Sequence, residues 1–111
     1  MQYLYRPMKE DDYDGAYALW QRTPGMGLSD ADSRENTVKY LRANPEQSFV
    51  CLSDGEIIGT ILCGSDGRRA YIHHTAVCPP HRRRGVAHEL VRLALAAQKE
   101  RGIAKCHLFI F

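Results

Sequence analysis

Between residues 86 and 101, apolar and polar positions recur at the spacing of a helix. Val86, Leu90, Leu93, Ala94 and Ala97 form one stripe, with Ala87, Val91 and Leu95 beside it. Glu89, Arg92, Gln98, Lys99, Glu100 and Arg101 fill the opposite face. Gly102 supplies a stop, and Lys99 and Arg101 suit the negative end of the helix dipole. Two earlier segments also read as helices. Glu10-Asp11-Asp12 opens the first, and Tyr13, Ala16, Tyr17, Leu19 and Trp20 continue it to Arg22. Thr23 to Leu28, with two glycines and a proline, is a loop. Asp32-Ser33-Arg34-Glu35 reads as a capping box, and the second helix runs through Val38, Tyr40 and Leu41 to stop before Asn44-Pro45.

The remaining apolar runs have strand character. They are Tyr3 to Pro7, Ser48 to Leu52, Glu56 to Gly64, Arg69 to Val77 and Ala104 to Phe111. Asp54-Gly55 and Asp66-Gly67 are turns between them. The order of elements is therefore β-α-α-β-β-β-α-β. That order predicts one α/β (α+β) domain over residues 1–111, with a right-handed crossover joining the last two strands. No repeat, low-complexity tract or linker interrupts it.

Composition narrows the class. With 44% hydrophobic and 25% charged residues, the chain of 111 residues is an ordinary globular domain with a modest core. A net charge of +2 does not by itself imply a polyanionic partner; the charge matters where it clusters, at Arg82 to Arg84. No apolar run is long enough for a membrane span, and the N-terminus lacks a signal-peptide core, which predicts a cytoplasmic protein. The cysteines Cys51, Cys63, Cys78 and Cys106 are widely spaced within apolar strands and read as reduced buried thiols. Cys78, His81, His73 and His74 match no common metal-ligand spacing, so no metal is assigned.

The chemistry concentrates where the fourth strand meets the last helix. Pro79 and Pro80 end the strand, and Arg82-Arg83-Arg84-Gly85-Val86-Ala87 leads into the helix. The first N–H groups of a helix lack intrahelical partners and attract anions. Gly85 leaves room for close approach, Ala87 is nearly as small, and three arginines add charge and paired donors. The combination describes a phosphate or diphosphate cradle. Two blander readings stand beside it: a basic loop that only caps a helix, and a nucleic-acid patch. Against the latter, no aromatic residues interleave with the arginines.

The stretch resembles the acyl-CoA-binding motif of the GNAT superfamily of N-acetyltransferases, R/Q-x-x-G-x-G/A, through Arg82, Gly85 and Ala87. Ala76-Val77-Cys78-Pro79-Pro80 resembles the strand end that precedes it. The likeness extends upstream through nearly the whole chain. It implies a mixed sheet whose last two strands part to admit the pantetheine arm of acetyl-CoA. The main chain of Ala76, Val77 and Cys78 would then meet that arm, and the amides from Arg82 through Arg83, Arg84, Gly85 and Val86 to Ala87 would hold the diphosphate. It further implies transfer of acetyl from acetyl-CoA to a primary amine of a small molecule or peptide, with the Val77 N–H polarising the thioester.

Removing the amine's proton needs a base that titrates near neutrality. Position for position, Tyr71 and His73 resemble the family's base-bearing strand sites, and His74 is the other candidate. Ideal alternation puts Tyr71, His73, Thr75 and Val77 on one face and Ile72, His74 and Ala76 on the other. Equally, both histidines read as half-buried strand residues with satisfied hydrogen bonds. In the loop that walls the acceptor site of such enzymes, Asp30 and Asp32 either attract a cationic amine or cap the second helix.

The chain stops near the fifth strand, whereas the family continues with a further helix and two strands. Leu108 to Phe111 would leave an apolar strand edge. This predicts a C-terminally truncated domain whose edge is covered by self-association, as a homodimer or larger oligomer. The alternative function is a non-catalytic module that binds CoA or only self-associates.

Overall fold

The computed structural model describes residues 2–108. One sheet of five strands runs in the order β1 (Leu4–Pro7), β2 (Phe49–Ser53), β3 (Glu56–Ser65), β4 (Ala70–Val77), β5 (Cys106–Leu108). The first four pair antiparallel, and β5 lies parallel to β4. Three helices, α1 (Tyr13–Gln21), α2 (Arg34–Ala43) and α3 (Val86–Glu100), complete the mixed α/β fold expected from the pattern.

Strand alternation gives the sheet two apolar faces, each with its own core. Phe49, Cys51, Ile61, Cys63 and Ile72 pack against Val86, Leu90, Ala94 and Ala97 of α3. On the other face Val50, Leu62 and Ala76 pack against Tyr13, Ala16, Leu19 and Trp20 of α1 and Leu41 of α2. The stripe read from the sequence is thus the buried side of α3. Its end is closed as the glycine implied: the Ile103 N–H donates to the Gln98 carbonyl and the Gly102 N–H to the Lys99 carbonyl, both at 3.0 Å.

Three local readings change. Glu10–Asp12 forms a separate 3-10 turn before α1. Asp12 is not an exposed dipole partner there: its carboxylate takes both guanidinium nitrogens of Arg6, at 2.7 and 2.8 Å, and the Lys9 N–H at 2.8 Å. The cap of α2 is Ser33, whose hydroxyl accepts from the Asn36 N–H, and not Asp32. Asp32 instead closes a short turn with Ser29 and is buried. Within the described residues β5 begins at Cys106 and pairs with β4 at Ala70, Tyr71 and Ile72. The apolar end of the chain, residues 109–111, and any parting of the two strands beyond Ile72, lie outside the described residues.

Candidate functional site

Strand β4 does not alternate to its end. Its pairing with β3 runs Leu62 with His73 but Thr60 with Ala76, so β4 holds one residue more than its partner. His74 lies in that bulge with φ of +47°. The bulge corrects the expected faces. Val77 joins Ile72 and Ala70 in the core beneath α3, while Ala76 joins the core beneath α1. Both histidines turn towards α1 and α2 instead of opposing each other. His73 meets Tyr40 edge-on at 6.4 Å, and His74 meets Trp20 at 4.8 Å.

The His74 Nε2 lies 2.5 Å from the Asp32 carboxylate, with both side chains more than nine-tenths buried. The Asp32 carboxylate also accepts from the Ser29 N–H at 3.0 Å, and the Asp32 carbonyl accepts from the Tyr13 hydroxyl at 2.6 Å. Behind them the Trp20 Nε1–H donates to Thr60 Oγ1, which donates in turn to the His74 carbonyl, each at 2.9 Å. This is a buried polar network within an apolar core, satisfied except at His74 Nδ1. Of its members, Trp20 and Thr60 escape a reading of the sequence as functional residues, and Asp32 is read there only as an amine-attracting charge or a helix cap, not as a partner of His74. The available signal was a lone threonine inside the apolar run of β3.

A cavity of about 490 Å³ opens beside the histidines, walled by α2 through Asn36, Thr37, Tyr40 and Ala43, by Leu62, and by His73 and His74. Burial, reinforced by neighbouring His74, holds the His73 imidazole below the usual histidine value, against the opposing pull of Asp32. A neutral imidazole at neutral pH is the form that accepts a proton. Tyr71 is placed apart from this cavity wall, stacked on His107 of β5 at 5.6 Å.

The loop before α3 forms a second cavity of about 410 Å³, lined by Thr75, Ala76, Val77, Arg82, Arg83, Gly85, Val86 and Ala87 among others. Pro79–His81 makes one 3-10 turn, and Gly85 then turns the chain into α3 with φ of +81°. The first bond of the helix runs from the Glu89 N–H to the Gly85 carbonyl, so the amides of Val86, Ala87 and His88 have no intrahelical partner. A β-carbon built on Gly85 would meet no atom within 4 Å, so the space beside this turn is open. Arg82 does not extend as a free cation: its Nε–H donates to the Val77 carbonyl at 3.0 Å and ties the loop to the end of β4. Cys78 is occupied on both sides, donating to the Ile58 carbonyl and accepting from the His81 N–H. Thr75 Oγ1, on the same cavity wall, is buried without a hydrogen-bond partner. These features fit the diphosphate end of an acyl-CoA: bare amides, neighbouring arginines, and an unsatisfied hydroxyl further along the cleft.

Among the described residues, no group of three or more His, Cys, Asp or Glu side chains gathers to hold a metal ion. Cys51, Cys63, Cys78 and Cys106 are all free thiols. No helix among these residues is long and apolar enough to cross a membrane.

The structure thus combines a mixed sheet, helix amides without intrahelical partners at the β4–α3 junction, and a histidine-lined cavity beside α2. Residues 13–111 match the Acetyltransferase (GNAT) family. The chain belongs to that family, whose general reaction is acetyl transfer to an amine. An acetyltransferase of Pectobacterium atrosepticum is 29% identical over 105 residues, spanning 95% of this chain and 74% of the relative. Among solved structures, Ard1 of Thermoplasma volcanium superposes with a TM-score of 0.84 at 21% identity, over 97% of this chain and 71% of that one. The PaiA N-acetyltransferase of Thermoplasma acidophilum, solved in complex with coenzyme A, gives 0.83 at 16% identity, over 99% and 80%.

Proposed function

We propose that the chain transfers acetyl from acetyl-CoA to a primary amine, with the donor in the cleft beside α3 and the acceptor in the cavity between β4 and α2. Acetyl-CoA supplies a thioester whose carbonyl carbon the amine attacks, forming the C–N bond as the C–S bond breaks, and CoA leaves as a thiolate that takes up the second proton lost by the nitrogen. The amides from Arg83 to Ala87, with the guanidinium groups of Arg83 and Arg84, hold the diphosphate. The main chain of Ala76 and Val77, beyond the β4 bulge, lines the acyl end. His73 takes the ammonium proton, since it lines the acceptor cavity and is held neutral by its burial. Tyr71, stacked on His107, is left as a supporting residue.

The observation that carries this reading is the set of amides without intrahelical partners at the start of α3, with open space beside Gly85, in the loop that follows the strand bearing His73. Calorimetry with CoA tests the cradle. Release of free thiol from acetyl-CoA, across a panel of amino acids, polyamines and short peptides, tests transfer. Tight CoA binding with no turnover on any amine would reduce the chain to a binding module.

A further inference from the structure

We propose that His74 and Asp32 are positioning residues: as a buried pair they hold the β4 bulge in its left-handed form and latch the segment between α1 and α2 onto it. The proposal rests on reading the chain as an acetyltransferase.

The bulge needs such a device. A residue other than glycine is disfavoured at a φ of +47°, and it persists only where its surroundings overdetermine it. His74 is held at both ends. Its carbonyl accepts from Thr60 Oγ1, itself fixed by Trp20, and its ring donates from Nε2 to Asp32. Asp32 is anchored in turn by the Ser29 amide and, through its carbonyl, by Tyr13. If the pair is removed, the strain at His74 is no longer opposed.

The same geometry argues against His74 as the base. Nε2 is committed to Asp32, and Nδ1 is sealed from solvent with no partner. Neither nitrogen is presented to an amine. His73, one residue earlier, lines the acceptor cavity, and Ala31 of the latched segment lies on the same wall. The pair therefore sets the distance between the base, the acceptor wall and the main chain beyond the bulge, where the acyl group is held. Errors of about 1 Å in such distances cost on the order of 100-fold in rate.

The test uses the whole chain, with acetyl-CoA and whichever amine of the panel turns over fastest. Asp32→Asn is expected to lower kcat by about 10- to 100-fold while calorimetric affinity for CoA stays unchanged. The acid limb of its pH–rate profile should persist, because His73 remains, and should move to lower pH, because the upward pull of the Asp32 charge on His73 is gone. The titratable groups around the pair are His73 beside His74, Tyr13 on α1 through the Asp32 carbonyl, and Tyr40 and Lys39 on α2 along the cavity. His74→Asn, which tolerates left-handed backbone and keeps an N–H donor, should retain most of the activity, whereas His74→Val should lose it. A folded Asp32→Asn chain with full kcat would overturn the proposal. So would loss of the acid limb in His74→Asn, which would make His74 the base. A wild-type chain inactive on every amine removes the acetyltransferase reading itself, and the positioning role falls with it. An active wild type with indifferent variants removes the positioning role alone.

Discussion

Gly59 of β3 and Val86, the first residue of α3, are in contact so close that a β-carbon on the glycine would lie 3.0 Å from Val86 Cγ1. Leu90 Cδ1 and Cys51 Cβ would be 3.2 and 3.3 Å away, so three neighbouring side chains would each have to give by a few tenths of an ångström. The absence of a side chain at Gly59 is what lets the N-terminal end of α3 rest on the sheet. Gly59→Ala should cost about 1–3 kcal/mol by overpacking. It should also weaken CoA binding, because Val86 adjoins the cradle. Denaturant midpoints and CoA calorimetry on the same preparation check both effects.

Gly85 behaves differently. Space around it is open, and the constraint is its φ of +81°. Gly85→Val should lose about 1–2 kcal/mol or more to left-handed strain. Gly85→Asn, which accepts that conformation, should melt close to wild type yet bind CoA markedly more weakly, because its side chain stands over the amides. Unchanged affinity in a folded Gly85→Asn chain would remove the cradle from the argument.

His73 gives the pH dependence its sign. Burial, with neighbouring His74, depresses its folded pKa below the ordinary 6.5, so the neutral base persists to lower pH than for a free imidazole. The acid limb of kcat/KM is accordingly expected below 6.5. A depressed histidine contributes stability that is present above its unfolded pKa and is lost as pH falls through the folded value. His73→Gln should flatten that part of the stability profile, measured by melting temperature between neutral and mildly acidic pH, and should abolish the acid limb.

Asp12 sets a second, more acidic step. Its burial alone would raise its pKa, but the Arg6 guanidinium and the Lys9 amide outweigh that and hold it below 3.8. Its stabilising contribution is present above the ordinary carboxylate value and is lost as pH falls through the folded one. Asp12→Ala strands a half-buried Arg6 and should cost about 3 kcal/mol. The loss should be largest at neutral pH and should vanish in strong acid, as followed by urea unfolding at a series of pH values.

The helices, the strands and the free amides at the start of α3 were legible in the chain because each depends on local order. A stripe at helical spacing, Pro79-Pro80 after an apolar run, and glycine at 85 and 102 act within a few residues of themselves. Capping was legible only as far as the candidates did not compete. Asp32 and Ser33 both suit an N-cap; the serine took it, and the aspartate was drawn 42 residues away in sequence to His74.

The sequence by itself determined the order of elements, the apolar faces of the helices and the place where an anion can meet bare amides. These follow from side-chain period and backbone chemistry, which neighbours along the chain settle. Only the tertiary structure decided which way the histidines point. One extra residue in β4 reverses every side chain beyond it, and whether the strand accepts that residue depends on Thr60, Trp20 and Asp32, brought together from three other elements.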